Sequence, residues 1–222
     1  MNVLNLYAGI GGNRKLWEDV EVTAVEINPE IAEVYRSLFP DDIVIVDDAL
    51  QYLLKHFSEF DFIWSSPPCP THSVTNHFLK GQNIYRFPDM TLYQQIIFLQ
   101  TFYNGKWVVE NVIPYYEPLI RPTLKMGRHL FWANFRITPV HIDYVDIGTM
   151  NRKASKESQR KAIIREAQIP EFLELHGLKD FALKNKRQVL RNCVLPEIGL
   201  NILNDAKGII RKEDTPQFKL EI

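Results

Sequence analysis

The chain has 222 residues, of which 45% are hydrophobic and 24% charged, a composition typical of a globular protein with one core or one core plus a small appendage. No apolar run approaches the about 20 residues that cross a bilayer, and the first residues lack the basic and apolar segments of a signal peptide. The two cysteines, Cys69 and Cys193, form no metal-type or disulfide-type spacing, which favours a reducing, cytoplasmic location and no bound metal.

Charge is distributed unevenly along the chain. Residues 1–120 hold 7 Lys/Arg and 15 Asp/Glu, a net charge of −8, whereas residues 121–222 hold 19 and 12, a net charge of +7. A basic half is typical of proteins that bind a phosphate backbone, but it is equally consistent with a solvated basic surface. Charge therefore allows a nucleic-acid partner without requiring one.

The first 120 residues alternate between strand and helix patterns. Apolar and β-branched runs predict strands at 3–7, 22–27, 43–46, 60–64 and 107–109. A helix is predicted at 13–19, another at 30–38 from apolar positions at helical spacing, and an apolar helix at 90–102. Residues 70–88 contain polar residues with Pro and Gly and predict a long loop. This alternation predicts an α/β fold, with a Rossmann-like, mostly parallel sheet and helices on both faces.

The alternation ends after residue 120. Short strands are predicted within 129–147, a basic helical pattern occupies 151–166, and a helix is predicted to begin near Pro196. These shorter elements predict a small, irregular second domain beside the sheet.

Three features that suit a nucleotide-like ligand follow the first three predicted strands. A glycine turn that includes Gly9 lets a ligand approach the backbone, Glu26 ends the second strand, and Asp48 follows the third. Ligands of open α/β sheets bind at the carboxyl ends of the strands, where an acid after the second strand typically holds ribose hydroxyls. Asp48 either accepts a hydrogen bond from an adenine amino group or caps the next helix.

Two chemically reactive side chains follow the fourth and fifth strands. Cys69 lies between prolines at the tip of the fourth strand, and Glu110 follows the apolar fifth strand. A rigidly held cysteine at the ligand edge is typical of a nucleophile, and a neighbouring carboxyl group suits attack on a ring that must be protonated elsewhere. His72 and His77 lie in the predicted loop and are interpreted as solvated.

Four motifs resemble those of the DNA cytosine-5 methyltransferase family, in the family's order. They are Leu6-Tyr7-Ala8-Gly9-Ile10-Gly11-Gly12, Pro67-Pro68-Cys69-Pro70-Thr71-His72-Ser73, Glu110-Asn111-Val112 and Arg187-Gln188-Val189-Leu190-Arg191-Asn192-Cys193-Val194-Leu195-Pro196-Glu197. The chain departs from the family pattern where Arg191 replaces a glycine and where Pro70 and His72 replace Gln and Phe. The family's arginine motif is only partly visible, around Arg128.

The resemblance implies a specific chemistry. Cys69 would attack carbon 6 of a cytosine flipped out of duplex DNA, Glu110 would hold the ring nitrogen and amino group, and Arg128 would bind the ring carbonyl. S-adenosylmethionine would be the methyl donor, and loop 70–88 would close over the base. The residues implied to hold the cofactor are Tyr7, Ala8, Gly9, Ile10, Gly12, Glu26, Ile27, Asp48, Ala49, Pro68, Asn192 and Val194.

The resemblance also divides the chain. It implies a cofactor-binding and catalytic domain at 1–140, a reduced target-recognition region at 141–185, and a segment at 186–222 that returns to the catalytic domain. So short a recognition region leaves room for a protein partner that reads the target. The residues predicted to contact DNA are Ser73, Arg152, Lys156, Arg160 and Lys161.

Three alternatives remain open at this point. The substrate could be RNA or a single strand, because the recognition region is short. The chain could instead be a non-catalytic cofactor-binding subunit, although the intact Cys69 and Glu110 argue against it. A dinucleotide-dependent oxidoreductase is the most distant alternative, because the glycine turn lacks the strict fingerprint of that class.

Overall fold

The computed structural model describes residues 1–74, 76, 79, 82–141, 155–157, 170–181 and 186–209. Its strands are β1 (Asn2–Leu6), β2 (Glu21–Val25), β3 (Ile43–Ile45), β4 (Phe62–Ser65), β5 (Lys106–Val112), β6 (Leu124–Met126) and β7 (His129–Ala133). Its α-helices are α1 (Pro29–Leu38), α2 (Ala49–His56), α3 (Thr91–Phe102), α4 (Pro170–Leu175), α5 (Lys186–Arg191) and α6 (Pro196–Ala206).

The seven strands form one sheet in the order β3-β2-β1-β4-β5-β7-β6. The first five strands are parallel, and β7 runs antiparallel to both β5 and β6. The strand order reverses direction between β1 and β4, and such a switch point opens a crevice at the carboxyl ends of the strands. The predicted α/β fold with a mostly parallel sheet is therefore confirmed.

Helices cover both faces of the sheet, as predicted. Helix α6 packs on one face through residues such as Ile198 and Ile202, which join a core cluster with Phe62 and Trp64. On the other face, α2 and α3 pack against Ile63 and its neighbours. Burying both faces explains why the central strands are almost continuously apolar.

The helix predicted over 13–19 is absent, and consecutive turns replace it. The amides of Arg14 and Trp17 donate to carbonyls three residues earlier, and Asp19 has a φ of 54°. Asn13 also makes a tertiary contact, because its Nδ2 donates to Asn5 Oδ1 on β1 at 2.9 Å. Contacts with distant elements thus override the local helical pattern here.

Candidate active site

A cavity of about 480 Å³ opens at the carboxyl ends of β1, β2, β4 and β5. Its volume lies within the usual range for small-molecule sites. Cys69 and Glu110 both line it. So do all twelve residues predicted to hold a cofactor, namely Tyr7, Ala8, Gly9, Ile10, Gly12, Glu26, Ile27, Asp48, Ala49, Pro68, Asn192 and Val194.

The glycine turn owes its shape to two different requirements. Gly9 has a φ of 55°, a left-handed conformation that glycine adopts at little cost, and open space lies where its Cβ would be. Gly12 is closely covered, because a Cβ there would lie 2.8 Å from the carbonyl oxygen of Val194. The first glycine leaves the backbone open to a ligand, and the second admits the segment before α6.

Glu26 is held at the end of β2 by backbone amides. Its Oε2 accepts from the Gly9 amide at 3.0 Å, and its Oε1 accepts from the Asn28 amide at 2.9 Å. The residue is only 9% exposed, yet it lines the cavity. Hydrogen bonds from fixed amides orient the carboxylate, whose remaining lone pairs suit hydroxyl donors.

Asp48 and Tyr7 have additional structural roles. Asp48 is the N-cap of α2 and accepts from the Gln51 amide at 2.8 Å, so the capping role predicted as an alternative does occur in the structure. The hydroxyl of Tyr7 accepts from Gln95 Nε2 at 2.8 Å. Burial raises the pKa of Tyr7 to about 12, so the phenol is neutral.

The loop that carries Cys69 is fixed by hydrogen bonds on both sides of the cysteine. Asn111 Nδ2 donates to the Pro67 carbonyl at 2.9 Å, and Asn76 Nδ2 donates to the Pro70 carbonyl at 2.9 Å. The Cys69 carbonyl accepts from the amides of His72 and Ser73 at 2.9 and 3.1 Å. These hydrogen bonds fix the backbone on either side of Cys69 and so limit the positions that its side chain can take.

The thiol of Cys69 lies beside the last motif. Its Sγ is 3.9 Å from Asn192 Oδ1, although the two residues are 123 positions apart in the chain. The other cysteine, Cys193, is buried, and burial raises the pKa of its thiol to about 12. Cys193 is therefore a poor nucleophile at neutral pH.

Glu110 is buried at the cavity. Burial raises the pKa of its carboxyl group to about 7, against the smaller lowering effects of a hydrogen bond from Ser66 and the positive charge of Arg128. A carboxyl group with this pKa is partly protonated near neutral pH and can donate a hydrogen bond to a ring nitrogen.

His129 is a cavity residue that the sequence analysis did not identify. Its Nε2 lies 3.6 Å from Glu110 Oε1, and both residues are 5% exposed. Burial, followed by the charge of Arg128, lowers the pKa of His129 to about 4, so at neutral pH this contact is not an ion pair. Arg128 itself is exposed and does not line the cavity.

In the sequence, only its position after Arg128 points to His129, and the motif around Arg128 matches the family pattern only in part. Pairing of β5 with β7 places Val112 opposite His129, which fixes the histidine near the Glu-Asn-Val motif.

The interpretation of His72 as solvated was wrong. Its side chain is 1% exposed, and its Nδ1 lies 2.6 Å from the Tyr116 hydroxyl.

The residues predicted to contact DNA are only partly described. Ser73 is half-buried and forms an isolated bridge with Pro114, and Lys156 is exposed. Arg152, Arg160 and Lys161 lie outside the described residues.

In the described part of the chain, no group of three metal-ligating side chains occurs. No helix there has the length and apolar character needed to span a bilayer.

A family model for the C-5 cytosine-specific DNA methylase matches residues 1–114, just over half of the chain. The chain belongs to this family. The matched region contains the glycine turn, Cys69 and Glu110, which the cavity brings together. No curated protein sequence matches the chain.

Solved structures of methyltransferases are also similar to the chain. Spodoptera frugiperda DNMT2 is 29% identical, with a TM-score of 0.36, and the match covers 50% of this chain and 35% of that one. A prophage-encoded protein of Escherichia coli, described as a DNA modification methyltransferase, is 21% identical, with a TM-score of 0.35 and coverage of 53% and 33%. YhhF of E. coli, described as a methyltransferase, is 15% identical, with a TM-score of 0.41 and coverage of 60% and 73%. The chain thus spans about a third of the length of the insect structure.

The cofactor of this family is S-adenosylmethionine, and the residues present fit it. The open backbone at Gly9 leaves room for a ligand, and the oriented carboxylate of Glu26 suits a ribose. Asp48 follows β3, lines the cavity and caps α2. In the sheet, Asp48 and Glu26 follow β3 and β2, whereas Glu110 lies on β5, with β1 and β4 between them.

Proposed function

We propose that this chain methylates carbon 5 of cytosine in DNA through a transient bond from Cys69 Sγ to carbon 6. The observation that carries the proposal is that Cys69 and Glu110 line the same cavity as the glycine turn and Glu26. One cavity thus combines a nucleophile, an acid and a site suited to a nucleoside.

Cytosine needs activation before its carbon 5 can react. S-adenosylmethionine supplies an electrophilic methyl group when bound, and an unactivated pyrimidine carbon is too weak a nucleophile for it. Addition of the Cys69 thiolate to carbon 6 breaks the ring double bond and places the electron pair on carbon 5 and the N3 side of the ring. Once carbon 5 carries the methyl group, loss of its proton to a base and departure of Sγ restore the double bond.

Glu110 stabilises the charge that this addition creates. Its raised pKa, about 7, leaves a proton on the carboxyl group in much of the population near neutral pH. That proton can be donated to N3 as negative charge develops there, and donors that strengthen with developing charge lower the barrier. His129 lies 3.6 Å away and, as a neutral imidazole, allows this proton to remain on Glu110.

The test is methyl transfer from tritiated S-adenosylmethionine into duplex DNA, single-stranded DNA and tRNA, followed by base-resolution mapping. We expect label at carbon 5 of cytosine in DNA. Cys69→Ser should abolish transfer, because covalent catalysis and acid–base catalysis each contribute about 100-fold or more. Retention of more than about a tenth of the parent rate would rule out the nucleophile, and label in tRNA alone would rule out the DNA substrate.

A matched control uses the second cysteine. Cytosine with fluorine at carbon 5 cannot lose that substituent as a proton, so it traps the adduct with the nucleophile. We expect the parent and Cys193→Ala to form a covalent complex that survives denaturation, and Cys69→Ser to form none. An adduct that requires Cys193 would contradict the assignment, since burial holds the pKa of that thiol at about 12.

A further inference from the structure

Apolar side chains project into solvent shortly before α3. Phe87 is 83% exposed, Tyr85 is 68% exposed and Ile84 is 52% exposed. Because burial of such side chains stabilises a protein, their clustered exposure is typical of a binding surface. We call residues 84–87 the aromatic segment.

The backbone of the aromatic segment is held in place although its side chains are exposed. The Tyr115 hydroxyl donates to the Arg86 carbonyl at 2.6 Å. Just beyond the segment, the Asp89 amide donates to Thr71 Oγ1 at 3.0 Å. The aromatic rings are thus presented from a backbone that is fixed on either side of Phe87.

Both anchors lead back to the loop that carries the nucleophile. Thr71 lies two residues after Cys69, and the Tyr115 amide donates to the carbonyl of His72 at 3.0 Å. The aromatic segment is therefore attached to the loop that presents Cys69. A nucleic acid that brings a base to Cys69 is therefore expected to contact this segment as well.

The chemistry of the aromatic segment selects the partner. Arg86 lies between the two aromatic residues, is exposed, and has no ion-pair partner among the residues that the structure describes. Two exposed aromatic faces on either side of a cation match the combination that binds unstacked nucleobases and their phosphates. A purely apolar partner would leave the guanidinium desolvated and unpaired, which is costly.

We propose that Tyr85 and Phe87 stack on the bases beside the target cytosine, while Arg86 contacts the neighbouring phosphate. This inference rests on the proposed function, since it needs a nucleic-acid substrate. A base that leaves the stack to reach Cys69 exposes the faces of its neighbours, and stacking on aromatic rings compensates for that exposure. The aromatic segment then favours cytosines whose neighbours are already unstacked.

The test measures Kd by fluorescence anisotropy, with S-adenosylhomocysteine present, for three cytosine-containing oligonucleotides. One is single-stranded, one is a paired duplex and one is a duplex with the cytosine mismatched. We expect the parent to bind the single-stranded and mismatched forms more tightly than the paired duplex. The double variant Tyr85→Ala/Phe87→Ala should bind them about tenfold or more weakly and should lose this preference.

The salt dependence of Kd distinguishes base stacking from phosphate contacts. The double variant should keep the salt dependence of the parent, because stacking releases no counterions, whereas Arg86→Ala should lower the slope of log Kd against log salt by up to about 1. The pair Tyr85→Phe/Phe87→Tyr keeps both rings and should restore affinity. Phe102→Ala is the matched control, because Phe102 is also exposed, at 61%. It ends α3, just before β5 begins, and so lies at the end of the parallel strands opposite to the cavity.

The outcomes are distinguishable. Suppose that the parent binds these oligonucleotides and that the double variant has the same melting temperature as the parent. If the double variant then binds the oligonucleotides as tightly as the parent does, the stacking proposal is overturned and the proposed function stands. An equal weakening in Phe102→Ala would also overturn it, because exposed apolar area in general would then be responsible. If the parent binds none of the three, both the stacking proposal and the proposed function are overturned.

Discussion

His129 Nε2 lies 3.6 Å from Glu110 Oε1, and both residues line the cavity while being almost fully buried. Burial raises the pKa of Glu110 to about 7 and lowers that of His129 to about 4. Burial thus shifts both groups toward their neutral forms, so near neutral pH His129 is uncharged while Glu110 is still partly protonated. The proposed reaction requires a proton near the ring nitrogen, and the raised pKa of Glu110 would keep one available.

The first prediction concerns Glu110 and pH. Below pH 7 the folded protein keeps a proton that the unfolded chain releases above about pH 4.5, so this group lowers stability as pH rises between those values. Glu110→Gln removes that destabilisation. We expect the melting temperature of the variant, relative to the parent, to increase from about pH 5 to about pH 8, measured by thermal denaturation.

His129→Gln is a control for which the opposite pH dependence of the relative melting temperature is expected. The folded protein excludes a proton that the unfolded chain binds between pH 4 and 6.5, so His129 makes stability rise with pH across that window. The melting temperature of His129→Gln relative to the parent should therefore be higher near pH 5 than near pH 7. Parallel behaviour of the two variants would contradict the assignment of neutral forms to this pair.

The second prediction concerns the ribose site. S-adenosylhomocysteine should raise the melting temperature, because a ligand that binds only the folded state stabilises it by mass action. Glu26→Ala should reduce that increase, since it removes the carboxylate held by the Gly9 and Asn28 amides. Glu21→Ala, at the opposite end of β2, is the control and should leave the increase unchanged. An unchanged increase in Glu26→Ala would remove this residue from the site.

The third prediction concerns the contact between α6 and the turn after the glycines. A Cβ on Gly199 would lie 2.0 Å from the carbonyl oxygen of Asn13, which is backbone and cannot rotate away. Gly199→Ala should lower the free energy of unfolding by about 1–3 kcal/mol, as overpacking does. It should also weaken binding of S-adenosylhomocysteine, because Asn13 lines the cavity.

Asn204→Ala on the same helix is the control for helix propensity, because Asn204 is partly exposed. Chemical denaturation and isothermal titration measure the two effects. A Gly199→Ala variant as stable as the parent would mean that α6 can shift away from the turn without cost.

The fourth prediction concerns the basic stretch, of which only residues 155–157 are described. Replacing Lys156, Arg160 and Lys161 with alanine should weaken DNA binding and flatten its salt dependence, by up to about 1 unit of slope for each phosphate group that the variant no longer neutralises. Affinity for S-adenosylhomocysteine should not change. The measurement is Kd for DNA at several salt concentrations.

The control for this variant replaces three exposed cations elsewhere, namely Lys55, Lys106 and Lys125. It removes the same charge and should leave the salt slope near that of the parent. If both triple variants flatten the slope equally, net charge rather than a local phosphate site governs binding.

Much of the catalytic region was predictable because its signals are local. Strand runs, the glycine turn and the proline-flanked Cys69 are each contained within a few residues, and parallel strands bring their carboxyl ends together. The false helix over 13–19 shows the limit. The local sequence looks helical, but Asn13 bonds to β1 and its carbonyl lies under Gly199, and neither interaction is visible in the local sequence.

The two histidines could not be interpreted from local sequence for the same reason. The burial of His72 depends on Tyr116, which is 44 residues away. The orientation of His129 toward Glu110 depends on the register between β5 and β7. Polar residues near a loop or strand end give no local sign of the partners that bury them.

The approach of Gly199 to Asn13 also has a consequence for the order of folding during synthesis. A ribosome completes the glycine turn before the residues that pack on it, because Val194 follows Gly12 by 182 residues and Gly199 follows Asn13 by 186 residues. Until then, the apolar face of β1 and β4 that α6 covers remains open to water. Contacts between residues far apart in sequence form slowly and leave a nascent chain prone to aggregation, so this protein should depend on chaperones most strongly in the interval before α6 emerges.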